Sequence, residues 1–129
     1  MTTEAIDLYA ALDEFSEVFS PRIVTRMNDY DVRIAKIAGE FVWHSHAETD
    51  ELFLVLDGEL TIGLREESGE RAVHLRRGSL FVVPRGTEHK PSSVHDASVL
   101  LLDPTGTANV GDRHDALPAH ITATTGTPV

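Results

Sequence analysis

The chain has 129 residues, one domain's length, and 41% of them are hydrophobic, enough for a single core. It contains no cysteine, which excludes disulfides, thiolate ligands and a cysteine nucleophile. A formal charge of −10 argues against nucleic acid and anionic membranes as partners, because both reward a basic face.

The opening stretch MTTEAIDLYAALDEF carries acids from residue 4 onward and no positively charged start, unlike a secretory signal. No apolar run approaches the roughly 20 residues that span a bilayer. A soluble cytoplasmic protein is expected. Within residues 4–19, Ala5, Leu8, Tyr9, Leu12, Phe15 and Phe19 fall near i, i+3, i+4 spacing, which predicts a helix. Thr3 is placed to cap it and Ser20-Pro21 to end it. Its apolar stripe must dock on a β-domain or on a second subunit.

From residue 22 to about 103 the hydrophobic period becomes two, with strands predicted at 22–26, 31–38, 41–46, 51–57, 59–65, 70–76, 79–83 and 97–102. Turn signals separate them, among them Asp57-Gly58, which reads as a tight hairpin, and Pro84-Arg85-Gly86. Leu52 to Leu56 is apolar on both faces, so one face is expected inside a barrel and the other against a helix or a second subunit. Short strands with regular turns predict an all-β sandwich or small barrel, a jelly roll first among these. The expected organisation is an N-terminal helix at 1–21, a β-barrel at 22–103 and a C-terminal tail at 104–129. The tail is rich in Thr, Gly, Pro and Asp, and is expected to wrap on the surface or to be partly disordered.

Chemistry concentrates in two segments. Gly39-Glu-Phe-Val-Trp-His44-Ser-His46-Ala-Glu-Thr-Asp-Glu51 closes at Gly58, and Gly78-Ser-Leu-Phe-Val-Val-Pro84-Arg-Gly86-Thr-Glu-His89 follows. His44 and His46, two apart on a predicted strand, share a face with Val42, while Phe41, Trp43 and Ser45 share the other. Glu51 opens the next strand and His89 follows the Pro84–Gly86 turn. Three imidazoles and a carboxylate suit one divalent transition metal with positions left open, as catalytic sites have. Glu48 and Asp50 are the rivals of Glu51 for the carboxylate. His74, His95, His114 and His120 lack this support, and His74 is expected to face solvent. The imidazoles must be neutral to ligate, so metal loading is expected to fail much below their ordinary pKa of about 6.5.

The first segment resembles the first motif of the cupin superfamily: a glycine, a His-x-His pair, a Glu four to five residues on and a closing glycine. The second resembles the second cupin motif, Gly-x5-Pro-x-Gly-x2-His. The resemblance covers roughly residues 32–102, closest to small single-domain bacterial cupins. Two departures stand out. Four residues separate Gly39 from His44, where five is commoner, and Ser93 stands where the second motif usually has Asn. The resemblance selects Glu51 over Glu48 and Asp50, giving metal ligands His44, His46, Glu51 and His89. It implies a double-stranded β-helix with a metal in an open barrel, and commonly a homodimer.

The nitrogen and oxygen donors leave Fe, Mn, Ni, Co, Cu and Zn undistinguished. A dioxygenase-type oxidoreductase acting on a small organic molecule is the first functional reading, with Phe41, Trp43, Phe53, Phe81 and Val83 as apolar neighbours. A non-redox isomerase, lyase or cyclase using the metal as Lewis acid is the second. It needs an acid or base, for which Glu40, Tyr30, Arg85 and His95 are the candidates. A small-molecule-binding protein without turnover is the third.

Overall fold

Residues 3–129 are described by the computed structural model. The helix is far shorter than its sequence stripe. Only Leu8–Leu12 (α1) is helical, capped by Asp7, whose carboxylate accepts from the Tyr9 and Ala10 amides at 3.0 and 3.1 Å. Thr3 caps nothing in this helix. The reason lies in where the stripe must go. Leu12 and Phe15 pack with Val24, Ile34 and Leu56, whereas Phe19 packs in a separate buried cluster with Phe41 and Phe53. One straight helix could not serve both clusters. The chain therefore leaves helical geometry after Leu12, with a positive φ of 55° at Phe19.

The remaining elements are β1 (Arg22–Met27), β2 (Tyr30–Glu40), β3 (Glu51–Asp57), β4 (Glu59–Glu66), β5 (Gly69–Arg76), β6 (Leu80–Val83), β7 (Glu88–Pro104) and β8 (Thr127–Pro128). They form one jelly-roll barrel organised by β7. One edge of β7 pairs with β2 along most of its length. The other edge pairs first with β4, from Glu88 to Ser92, and then with β3, from Ser98 to Leu102. On both edges the register skips around Val94, His95 and Asp96, a bulge that leaves Val94 97% exposed. The strand bends there, and the two halves of the sheet face each other around a common interior.

That interior follows from alternation. Leu60, Ile62 and Leu64 of β4 point in, as do Phe53 and Val55 of β3, Val99 and Leu101 of β7, and Ala35 and Ile37 of β2. The outward residues Leu54 and Leu56 of β3 meet α1 and its neighbours, and the Tyr9 hydroxyl donates to the Leu56 carbonyl at 2.9 Å. The doubly apolar strand is thus explained by a barrel inside and the N-terminal segment outside.

Three expectations are corrected. Residues 41–46 form no strand, only an isolated bridge between His44 and His89. Asp57-Gly58 is not a hairpin, because β3 and β4 do not pair with each other but run in succession along β7. The predicted strand 97–102 is the second half of the longer β7. The segment after β7 is also more than a surface tail. Val110 and Ile121 are buried in the barrel cluster, and Thr127–Pro128 pairs in parallel with Arg22–Ile23.

Candidate metal centre

His44, His46, Glu51 and His89 are all buried, and each offers one donor atom within 4.8 Å of the others. Bonds of about 2.0–2.1 Å to a central ion place opposite donors roughly 4.2 Å apart, so the group could hold one ion after small adjustments. Glu51 opens β3 and His89 is the second residue of β7. His44 is fixed by reciprocal backbone bonds, its N–H donating to the His89 carbonyl at 3.0 Å and the His89 N–H donating back at 2.8 Å. His46 is tied by the Gly86 N–H, which donates to its carbonyl at 2.8 Å. The Pro84–Gly86 turn thereby supports both motifs.

The tautomers suit ligation. Nδ1 of His44 lies 2.9 Å from the Val42 carbonyl, and Nδ1 of His89 lies 2.9 Å from the Thr87 carbonyl. A carbonyl only accepts, so each Nδ1 carries a proton; Nε2 of neutral His44 is left with a lone pair, and Nε2 of His89 faces Glu51 Oε1 at 3.2 Å. Nε2 of His46 is buried without a hydrogen-bond partner, at 3.4 Å from Glu51 Oε1. An orphaned buried nitrogen beside a carboxylate is what a metal-binding group presents.

Electrostatics set the protonation states. Burial, and then the neighbouring His89, push His44 down to about 3. It therefore stays neutral far below 6.5, so the expected failure of metal loading below that pH does not arise from His44. Burial acts to raise Glu51, but the facing His46 and His89 rings and Asp103 hold it well below the usual carboxylate range. Asp103 goes the other way. Burial, followed by the charge of Glu51, pushes it up to about 9. Two neighbouring buried carboxyls avoid carrying two charges, and the proton stays on Asp103.

Asp103 belongs to a polar cluster inside the barrel. Arg33 Nη2 donates to Asp31 at 2.9 Å, Arg33 Nη1 donates to the Thr107 carbonyl at 2.9 Å, and the same Nη1 lies 3.9 Å from Asp103. Against the effect of burial, hydrogen bonds from Arg33, Thr105 and Arg26 hold Asp31 below its ordinary value. A cavity of about 50 Å³ joins this cluster to the metal group, with Arg33, Asp103, His44 and Glu51 among its lining. Phe19, Phe41 and Phe53 form its apolar side.

Strand parity had put Phe41 and Trp43 together, away from the imidazoles. With no strand at 41–46, they separate. Phe41 meets His44 edge-on with ring centroids 5.2 Å apart. Trp43 instead lies outside, over Gly63, with the Arg65 guanidinium 3.9 Å from its ring. Phe81 is half-buried and Val83 is core. Glu48 is exposed, and Asp50 accepts the Arg85 N–H at 2.8 Å, holding the loop to the Pro84–Gly86 turn. His74, His95, His114 and His120 are exposed. None of the acid–base candidates lines the cavity: Glu40 pairs with Lys90 at 2.8 Å, and Tyr30, Arg85 and His95 are exposed. Sequence reasoning missed Arg33, Asp31 and Asp103. The signal was present in alternation, since Asp31 and Arg33 lead into inward Ala35 and Ile37, and Asp103 follows inward Val99 and Leu101. Ser93, where the motif usually has Asn, is buried and donates to the Glu59 carbonyl at 2.8 Å.

Residues 30–104 match the family described as the cupin domain. The uncharacterized protein YdbB of Bacillus subtilis is 38% identical over 87 residues, covering 67% of this chain and 74% of YdbB. The 3-hydroxyanthranilate 3,4-dioxygenase of Xenopus laevis is 22% identical over 102 residues, which is 77% of this chain but 36% of that enzyme. The crystal structure of a cupin-2 domain containing protein from Shewanella frigidimarina superposes with a TM-score of 0.72 at 37% identity, covering 77% of this chain and 93% of that one.

Proposed function

Since this chain belongs to the cupin family, we propose that His44, His46, Glu51 and His89 bind one divalent transition metal, and that the protein is a metal-dependent enzyme acting on a small organic molecule. A dioxygenase-type oxidoreductase is the preferred activity. The observation that carries this is the convergence of four buried donors, two with tautomers set for ligation, on a cavity with an aromatic side. The similarity to 3-hydroxyanthranilate dioxygenases supports the choice of oxygen chemistry, over less than half of those enzymes' length.

A bound metal would supply Lewis acidity and, where it is redox-active, one-electron chemistry with dioxygen. The protein's own residues do the rest. Phe19, Phe41 and Phe53 exclude water and favour an apolar or aromatic body. Asp103 keeps a proton beside Glu51, so the pair carries one negative charge. Arg33, held by Asp31, gives the cavity one cationic wall.

Asp103 also favours a second reading, a non-redox isomerase, lyase or cyclase, because it puts a protonated carboxyl inside the cavity. The deciding experiment is metal analysis of the purified protein followed by oxygen-uptake assays with small phenolic acids. A redox-active metal with substrate-dependent uptake supports the dioxygenase. A metal that stays redox-silent, with no uptake, would move the assignment to the second reading.

We further propose a cytoplasmic homodimer. No helix among the described residues is long and apolar enough to cross a membrane. On the outer sheet face Leu80 and Val82 are 57% and 42% exposed, beside half-buried Leu52. A second copy would cover them.

A further inference from the structure

The cavity beside the metal group measures about 50 Å³, whereas a cavity that holds a benzene ring is roughly 150 Å³. An aromatic ring therefore does not fit inside this cavity as it stands, and one enters it only if a wall moves. The barrel walls are hydrogen-bonded strands. The segment lying against the imidazoles from outside is of a different kind.

After Pro104 the chain arches across the barrel and returns to pair at Thr127–Pro128. Its ends are fastened, Thr105 N–H donating to the Asp29 carbonyl at 2.9 Å and Thr127–Pro128 adding to β1. Gly106 and Gly126, with φ of 90° and 94°, stand just inside these fastenings. Between them the arch has no strand pairing. It is held by the buried side chains of Val110 and Ile121 with Ala108 and Leu117 packed beside them, by Arg33 Nη1 donating to the Thr107 carbonyl at 2.9 Å, by His120 Nε2 at 3.1 Å from the Glu40 carbonyl, and by three contacts to the segment that carries the first two histidines. Asp112 N–H donates to the Ser45 carbonyl at 2.9 Å, the Asp112 carboxylate accepts the Ala47 N–H at 2.7 Å, and Arg113 donates to the Trp43 carbonyl at 3.0 Å. Gly111 passes so close that a Cβ there would sit 2.2 Å from the Ser45 carbonyl oxygen and 3.3 Å from the His44 ring.

Two open grooves flank this crossing. One, of about 480 Å³, touches His44, and the other, of about 290 Å³, touches His46. Asp112 borders both. The arch is the ridge between them, and lifting it would join them over the two imidazoles.

We propose that residues 105–126 form a movable cover over the metal centre, latched to the His44–His46 segment by Asp112, and that organic molecules reach the metal by its displacement. This rests on reading the four residues as a metal site. It adds that Asp112 is a positioning residue, acting on the centre through the backbone of residues 45–47.

Two measurements test it. In metal-free protein, hydrogen exchange at the Gly111 and Asp112 amides is expected to proceed by an opening that leaves the His89 and Ile62 amides protected. Asp112→Ala should speed the arch amides roughly tenfold or more, the loss of one charge-assisted hydrogen bond, without changing the barrel amides. Asp112→Asn keeps an acceptor oxygen and should restore wild-type exchange. Arch and barrel amides opening together in every variant would overturn the cover. In protein loaded with Co(II), removal by the aromatic chelator 8-hydroxyquinoline-5-sulfonate should saturate with chelator concentration at the opening rate, with a higher plateau in Asp112→Ala. A rate linear in chelator and equal in both proteins would also overturn it. Protein that takes up no Co(II) would refute the metal reading alone, while exchange in the metal-free protein still decides whether the arch opens.

Discussion

His44 and Asp103 line the same cavity, and burial drives them to opposite protonation states. Each prefers to be neutral there, so the imidazole loses its proton easily and the carboxyl keeps one. The consequences for stability have opposite signs. Between 6.5 and about 3 the unfolded chain holds a proton on His44 that the fold does not, so stability falls as pH drops through that window. Between 3.8 and about 9 the fold holds a proton on Asp103 that the unfolded chain does not, so stability falls as pH rises. The two effects offset where the windows overlap, and above 6.5 only Asp103 remains. Metal-free protein should thus lose up to about 1.4 kcal/mol per pH unit above 6.5, and Asp103→Asn should flatten the decline. Urea midpoints at pH 6.5, 7.5 and 8.5 check this, and a wild-type profile as flat as the variant's would contradict it. For the donors themselves, His46→Ala or His89→Ala should weaken metal binding by more than about 100-fold, beyond the usual effect of losing an outer-shell partner. Far-UV circular dichroism should keep its β signature. Full metal content in both variants would refute the ligand assignment.

Among the elements, β1, β3, β4, β5 and β6 were legible from sequence within a residue, because turn signals bound them. The grouping of His44, His46, Glu51 and His89 was legible too, with the carboxylate chosen by the resemblance to the cupin motif. Misreadings came where tertiary geometry overrode local pattern. The 41–46 segment has the composition of a strand but only one bridge to β7; Val42, His44 and His46 are buried and alternate with half-buried Trp43 and Ser45, and Phe41 alone departs by turning inward. The 4–19 stripe looks helical because Phe15 and Phe19 share a face on a helical wheel, yet the fold uses them on opposite sides of a sheet. The arch carries few apolar residues, and nothing in its pattern reveals that Val110 and Ile121 insert into the barrel. Gly58 was read as a hairpin glycine but has another task. Its φ is 76°, and a Cβ there would lie 2.1 Å from the Asp96 carbonyl oxygen, where β3 passes into β4 beside the β7 bulge. Gly58→Ala should therefore cost about 2 kcal/mol or more through strain and backbone displacement. Equilibrium denaturation measures it, and a loss under half that size would show that the bulge yields.

At the scale of the whole molecule, one sheet face is covered by the N-terminal segment and the adjoining one is bare. Leu12 and Phe15 shield the Leu54 and Leu56 side, while Leu80 and Val82 stand open. If a second copy covers that patch, replacing Leu80 and Val82 with Asp should convert a dimer to a folded monomer in sedimentation velocity. A monomeric wild type would end the proposal. The long strand β7 has a consequence of another kind. Residues 30–40 and residues 51–66 each await it as a neighbour, and it does not begin until residue 88. During synthesis the early strands therefore leave the ribosome with hydrogen-bonding edges open and the apolar run Leu52–Leu56 uncovered. Closure of the barrel must wait for the last strand of its frame, and contacts so distant along the chain make that step slow. The nascent protein passes through an interval in which aggregation competes with folding, and the chain's net charge of −10 opposes association.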